Sequence, residues 1–320
     1  IRDRVSPTAH AKWFTHDRSD NTIAYDYAYN ILAGLDENAV VFTNGDNDTF
    51  PIWYLQEVEH FRRDVTVVNL SLVNLGWYVK QLKRLANPVA LTYSDAEIDE
   101  LRPIPYRDQE TGQIGIIMVR EYVVKDIIDA NRVNPSSRPI FFAVTIPREN
   151  MERYYPFLQM EGLAYRLTET RSEDGLPGTD SARLLTNVFG AYSFDSLLDG
   201  PATDDERRQV FASQAGWASD QRVQRFLTGL EEPPPVDYDL MLEMLGKDRR
   251  DVYRDPNTVN LLGNYPASIA RAGFGYLAAA EELRQPDGTI AAADTTAYDR
   301  ATDQALFCYE LARTFDPYNG

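Results

Sequence analysis

Two hydrophobic rhythms alternate along residues 21–168, and their alternation predicts an α/β fold. Ile23, Tyr27, Ile31 and Leu35 recur at spacing four, which places them on one face of a helix. Asp36-Glu37-Asn38 ends that helix. Ala39 to Thr43 is a short apolar run, the pattern of a strand buried on both faces. Ile52, Leu55 and Val58 mark the inner side of the next helix, and Pro51 is expected in its first turn, where a missing N–H does no harm. Val65 to Leu70 reads as a second strand. The strand–helix–strand span is roughly 30 residues, the size of a right-handed crossover. Tyr78, Leu82 and Leu85 give a third helix. Val119, Val123 and Ile127, with Val124 and Ile128 beside them, give a longer one broken by Asn131 to Ser137. PIFFAVT, Pro139 to Thr145, is a strong strand, and GLAYRLT, Gly162 to Thr168, reads as an edge strand. The fold class expected is α/β: a Rossmann-like, mostly parallel sheet with helices on both faces. Residues 170–200, rich in Gly, Ser and Asp, are expected to be mostly loop.

The last third changes character. Glu231-Glu232-Pro233-Pro234-Pro235 is a stiff break. It divides the chain into an N-terminal arm or linker (1–20), an α/β domain (21–232) and a helical domain (236–320). Two helical blocks, 257–284 and 296–315, carry the tetratricopeptide pattern in separated halves. Ile269, Ala272, Gly273 and Tyr276 fit the first helix of such a repeat, and Ala305, Tyr309, Ala312 and Pro317 the second. An insertion around Gln285 to Thr296 holds the halves apart. A generic helical hairpin is the alternative reading.

Charge and composition narrow the chemistry. The net charge is −17, and Lys occurs only at Lys12, Lys80, Lys83, Lys125 and Lys247. Such a surface suits concentrated salt, where screening removes self-repulsion, and points to a halophilic source; an acidic face for a basic partner is the competing reading. Nucleic acid is not an expected partner, because phosphate binding needs clustered Lys and Arg. Cys308 is the one cysteine, so disulfides within the chain and Cys-based zinc sites are excluded. His60 lies among Glu57 and Glu59 and reads as solvated, as do the pairs Arg62-Arg63 and Arg249-Arg250. No apolar run approaches the roughly 18 residues that cross a bilayer. The start, Ile1-Arg2-Asp3-Arg4, lacks an apolar leader and looks like a cut from something longer.

The candidate chemistry sits after the first strand. Thr43-Asn44-Gly45-Asp46-Asn47-Asp48-Thr49 leaves the carboxyl end of a strand and enters a helix, the usual ligand position in a parallel α/β sheet. Gly45 permits a sharp turn or close approach. Asp46 and Asp48, with Asn44 and Asn47, offer oxygen ligands to a divalent cation. The same residues also form Asx turns and helix caps without any ligand. Bare phosphate is disfavoured by the two carboxylates. The second loop brings Asn69, Ser71 and Asn74 to the same crevice, with Trp77 and Tyr78 either as a stacking wall for a sugar or as core. The sequence contains no G-x-G-x-x-G, Walker or G-x-S-x-G motif.

The stretch FTNGDNDTFPIWYLQEVEHFRRDVTVVNLSLVNLGWYVKQL resembles the signature of a family of bacterial polytopic membrane proteins related to protein O-mannosyltransferases. The likeness is nearly continuous over residues 21–86 and continues through PIFFAVT and MEGLAYRL, residues 160–167. In that family a multi-span membrane domain precedes a soluble extracytoplasmic region, and tetratricopeptide-like helices often follow. The resemblance implies a periplasmic portion of an inner-membrane protein, with its own membrane domain as partner and a glycan, peptide or protein acceptor as possible ligand. It implies catalysis in membrane-domain loops, so no catalytic residue is carried over to this region. The function expected is a non-catalytic accessory region of a membrane glycosyltransferase. The alternatives are a metal-dependent hydrolase or transferase at Asp46 and Asp48, or a scaffold alone.

Overall fold

A computed structural model describes residues 22–107, 109, 112–132, 137–193 and 256–315. In chain order its elements are α1 (Ile23–Ala33), β1 (Val40–Thr43), α2 (Asp46–Glu57), β2 (Thr66–Asn69), α3 (Gly76–Leu82), α4 (Asp95–Glu100), β3 (Ile104–Arg107), β4 (Ile114–Ile117), α5 (Val119–Asn131), β5 (Ile140–Ala143), β6 (Leu158–Met160), β7 (Ala164–Leu167), β8 (Gly178–Thr179), α6 (Ser181–Gly190), α7 (Pro256–Glu282) and α8 (Thr295–Phe315). One mixed sheet has the strand order β2-β1-β5-β7-β6-β8, and β3 and β4 form a separate two-stranded sheet. The described residues divide into two compact units, one of 35–159 with 164–177, the other of the residues before 35, 160–163 and those from 178 on.

The first unit contains the predicted crossover. β1 runs parallel to β2, with Val40 opposite Thr66 and Thr43 opposite Asn69, and parallel to β5 on its other side. All four residues of β1, β2 and β5 are buried, as continuous apolar runs in a parallel sheet require. Phe42 and Phe142 stack across neighbouring strands at 4.9 Å between ring centroids. The parallel expectation holds only for this part. β7 pairs with β5 antiparallel, Phe142 opposite Tyr165, so the sheet is mixed. The segment expected to be an edge strand is therefore interior, between β5 and β6. Its polar Arg166 lies over the Phe141 ring at 4.6 Å and reaches the Asp36 carboxylate at 2.5 Å, which offsets the cost of a cation beside the sheet.

The amino ends of the strands are fastened by arginines. Arg138, 8% exposed, donates to the carbonyls of Asn38, Ala39 and Pro88 and to Thr66 Oγ1, at 2.8 to 3.1 Å. Five guanidinium donors in a rigid fork can satisfy that many acceptors from one buried charge. Arg62, read from sequence as solvated, is half-buried. It clamps Asp64 through two 2.9 Å bonds and donates to the carbonyls of Leu35 and Asp36. Arg63 stays exposed, as does His60.

The second unit is helical. Asn30 is fully buried, and its carboxamide is satisfied at both ends: it donates to Tyr265 Oη and to the Ser193 carbonyl at 2.7 Å, and accepts from Ser193 N–H at 2.6 Å. Burial pushes the Tyr265 phenol well above its ordinary range. Helix α6 stands where sequence composition predicted loop. Asp180 caps it by accepting from Arg183 N–H at 2.9 Å, and Leu184, Leu185 and Val188 are buried on one face. α7 and α8 form the predicted helical pair, with Ile269, Ala272, Ala305 and Ala312 buried. They approach closely at Gly273, where a Cβ would meet the Tyr309 ring at 2.9 Å. Cys308 is buried there, and desolvation pushes its thiol up to about 12. Pro317, the proline break at 233–235, His10, His16 and Arg249-Arg250 lie outside the described residues.

Two predictions follow from these fastenings. Gly162 has φ +130°, and a Cβ there would fall 2.1 Å from Tyr192 Oη, which accepts from Leu163 N–H. Gly162→Ala should cost at least about 1–3 kcal/mol in urea denaturation, against a smaller loss for Gly175→Ala, where the site is open. The Arg62 bond, followed by the Asn38 N–H bond, holds the Asp64 carboxyl below its ordinary range, against the opposing effect of burial. A depressed folded-state value means the stabilisation is full above the unfolded value, about 4, and is lost as pH falls through the folded one. Wild-type urea midpoints should therefore fall more steeply below about pH 4 than those of Asp64→Asn.

Candidate functional site at the carboxyl ends of β1 and β2

The segment expected to be a loop is mostly helix. α2 begins at Asp46, so Asp46, Asn47, Asp48 and Thr49 form its first turn, and Pro51 falls in the second turn. The sequence reading started the helix later because it tracked apolar residues, and this first turn is polar. At this position the proline lacks the N–H that would donate to the carbonyl of Asn47, four residues back, and Asn47 is exposed, so water can take up that acceptor.

Asp48 closes the turn. It is 2% exposed. One carboxylate oxygen accepts from Gly45 N–H at 3.0 Å and from the Thr49 hydroxyl at 3.2 Å. The other accepts from Asn44 N–H at 2.8 Å and from the Thr145 hydroxyl, just beyond β5. A carboxylate in the first helical turn also faces the positive end of the helix dipole. Burial of this charge is offset by four donors and by that dipole.

Asn69 does the equivalent work at the end of β2. It is 1% exposed. Its Oδ1 accepts from the N–H groups of Ser71 and Leu72, both at 2.9 Å. Its Nδ2 donates to Thr49 Oγ1 at 2.9 Å and more weakly to the Gly45 carbonyl at 3.4 Å. The Thr43 and Thr49 hydroxyls lie 2.8 Å apart. Ser71 Oγ donates to the Asn44 carbonyl at 3.0 Å. Asn74 Oδ1 accepts from Arg120 N–H at 3.1 Å and ties the second loop to α5. The two trailing turns thus meet, as the sequence predicted, and they meet by bonding to each other.

The remaining site residues face outward. Asp46 and Asn47 are exposed, and Asn44 and Gly45 are half-buried. Trp77 is 59% exposed, whereas its neighbour Tyr78 is 2% exposed, with the two rings edge-on at 5.8 Å. Tyr78 belongs to the core: its hydroxyl accepts from Asn69 N–H at 3.0 Å, and burial pushes the phenol up to about 12. Trp77 does not. Among the described residues no group of three or more His, Cys, Asp or Glu is placed to hold a metal ion. Thr145, which completes the set around Asp48, escaped the sequence reading. The available signal was its place at the end of PIFFAVT, a strand that delivers its last residue to the same edge of the sheet.

These features define an α/β module whose strand-end turns are locked together by buried polar side chains. Residues 24–101, which include this site, match the family model described as TMEM260-associated domain 2. The chain is 32% identical over 126 residues to "Protein O-mannosyl-transferase tmem260" of Dictyostelium discoideum, a match covering 39% of this chain and 13% of that protein. The chain therefore contains a domain related to an O-mannosyltransferase, and it aligns with a small part of that relative. No solved structure matches.

Asp48→Ala should destabilise the protein by about 2–3 kcal/mol, since it strands two backbone donors and two hydroxyls. Asp46→Ala should stay within about 0.5 kcal/mol. Guanidinium denaturation of the two variants checks the contrast. Equal losses would remove the distinction drawn between them.

Proposed function

We propose that this chain is a non-catalytic accessory region of a membrane-embedded glycosyltransferase related to the protein O-mannosyltransferases, and that it binds the acceptor or a partner. The observation that carries the reading is the match over residues 24–101 to a domain associated with such a protein. The geometry supports it. Both oxygens of Asp48 and both ends of the Asn69 carboxamide are engaged within the fold. That arrangement suits a rigid positioning module better than a metal-dependent hydrolase or transferase at Asp46 and Asp48. Asp46, Asn47, Ser71 and Trp77 stay at the surface, where an acceptor or the parent's membrane domain can reach them. Among the described residues no helix is long and apolar enough to cross a membrane. In this reading the chain lies on the extracytoplasmic side, beside its own membrane domain, and the α7–α8 pair serves as a tetratricopeptide-like surface for peptide.

The test compares the full-length parent with a version lacking this region, by sugar transfer to a protein acceptor. Deletion should raise KM for the acceptor at least about tenfold, the equivalent of 1.4 kcal/mol, while the isolated region transfers nothing. Unchanged transfer after deletion, or turnover by the isolated region, would overturn the proposal.

A further inference from the structure

A second concavity lies away from the strand-end turns. It opens along the free edge of β2, between α2 on one side and α3 with the chain that follows it on the other, and has a volume of about 320 Å³. That is at the small end of the range for small-molecule sites, about 300–1,000 Å³. It is too small for a docked helix.

The floor of this cleft is a strand edge that is already almost closed. Thr66 and Leu70 N–H donate toward β1, to the carbonyls of Ala39 and Thr43. In a strand the alternate residues Val65, Val67 and Asn69 then face outward. Val65 N–H donates to the Arg62 carbonyl, and the Val65 carbonyl accepts from Gln56 Nε2 at 2.8 Å. Tyr78 Oη takes Asn69 N–H at 3.0 Å and reaches the Val67 carbonyl at 3.4 Å. The same alternation turns the Val67 N–H away from β1 and toward the cleft that Val67 lines. A backbone donor at a strand edge is satisfied when an acceptor reaches it. It is a fixed point for a ligand oxygen. Strand addition by a peptide is disfavoured, because side chains occupy the edge on both sides of that one donor.

The walls specify the rest of the ligand. Trp53 supplies an indole held by stacking on Phe50 at 5.7 Å, and Leu82 and Leu85 extend the apolar surface. Gln56, Gln81 and Asn87 supply carboxamides. Gln56 and Asn87 spend their N–H groups inside the fold, on the carbonyls of Arg62, Val65 and Asp64 and on Asn38. Their amide oxygens are left to accept. Glu57 and Arg63 form a loose, exposed pair at the rim, 3.8 Å apart. One indole face, amide acceptors and one backbone donor match a neutral ring that has an apolar face and an edge of hydroxyls.

We propose that this cleft binds a single saccharide unit, its ring against Trp53, one oxygen accepting from Val67 N–H and its hydroxyls bonding to the carboxamides of Gln56, Gln81 and Asn87. The site is separate from the turns after β1 and β2. The proposal rests on the accessory-region reading only for its biological setting, and names the chemical class of a ligand.

The test titrates the chain itself with methyl hexopyranosides, with glycerol as a polyol control, and follows the Trp53 indole N–H signal by NMR. Saturable shifts with at least one hexopyranoside and none with glycerol are expected. Trp53→Ala and Gln81→Ala, checked for unchanged thermal unfolding, should each weaken binding about tenfold or more, read from the remaining cleft signals. An absence of saturable binding to every hexopyranoside would overturn the proposal. So would binding that survives both substitutions, or saturation by an unglycosylated Ser/Thr-rich peptide in place of the sugars. None of these results depends on transfer by the full-length parent, so failure here is distinct from failure of the accessory-region proposal.

Discussion

A buried carboxylate at the start of α2 holds this architecture in register. Asp48 gathers two backbone N–H groups from the turn ahead of it and a hydroxyl from Thr145, just beyond the carboxyl end of β5. It therefore ties the trailing ends of two adjacent parallel strands, β1 and β5, at one point. Asn69 extends the fastening to β2 by bridging Thr49 and the backbone of the next turn. Without these bonds, the turns after β1 and β2 would present unpaired polar groups at a buried strand end, which is costly. The opposite ends of the same strands rely on a different device, the Arg138 fork over carbonyls. The sheet is thus pinned at both ends by buried charge, each offset by hydrogen bonds and neither by a direct buried ion pair.

This arrangement changes the meaning of the Asn-Gly-Asp-Asn-Asp-Thr run. Polar residues following a strand invite a ligand reading, and the same residues can serve to build the helix start. The geometry divides them. Asp48, Thr49 and Asn69 face inward and are engaged, while Asp46 and Asn47 face water. The match to the TMEM260-associated domain 2 model includes this same stretch. Within it, the inward-facing residues shape the module and the outward-facing ones stay at the surface. The cleft at the β2 edge follows a similar logic. Tyr78 and Gln56 close most of an exposed strand edge, which guards against strand pairing and leaves one donor facing the cleft.

Much of the fold was legible because burial leaves a periodic trace. The spacing of Ile23, Tyr27 and Ile31, the uninterrupted runs at β1, β2 and β5, and the apolar face of α5 all reached the structure as elements. What escaped leaves no such trace. Strand direction is not encoded in a four-residue apolar run, so the antiparallel β7 could not be told from a parallel strand. The β3–β4 hairpin does alternate, Ile104 with Tyr106 and Ile114 with Ile116, but each strand is four residues long and is interrupted by Pro105 or Gly115, and its apolar side chains are exposed, so it leaves no trace of burial. Helix α6 was hidden by the Gly- and Ser-rich stretch before it, although Asp180 and the Leu184, Leu185, Val188 spacing were there to be read. At the candidate site the residue types were visible and their partners were not. Whether an Asp binds a cation or caps a helix depends on where the helix begins, and a polar first turn conceals that.

Amide hydrogen exchange at Asn44 and Gly45 tests the central claim most directly, because these are the N–H groups that Asp48 is said to hold. Exchange as slow as that of the β1 core amides, accelerated locally when Asp48 is replaced by Asn, is the predicted result. Rapid exchange of both amides in the wild-type protein, at rates typical of an open loop, would contradict it.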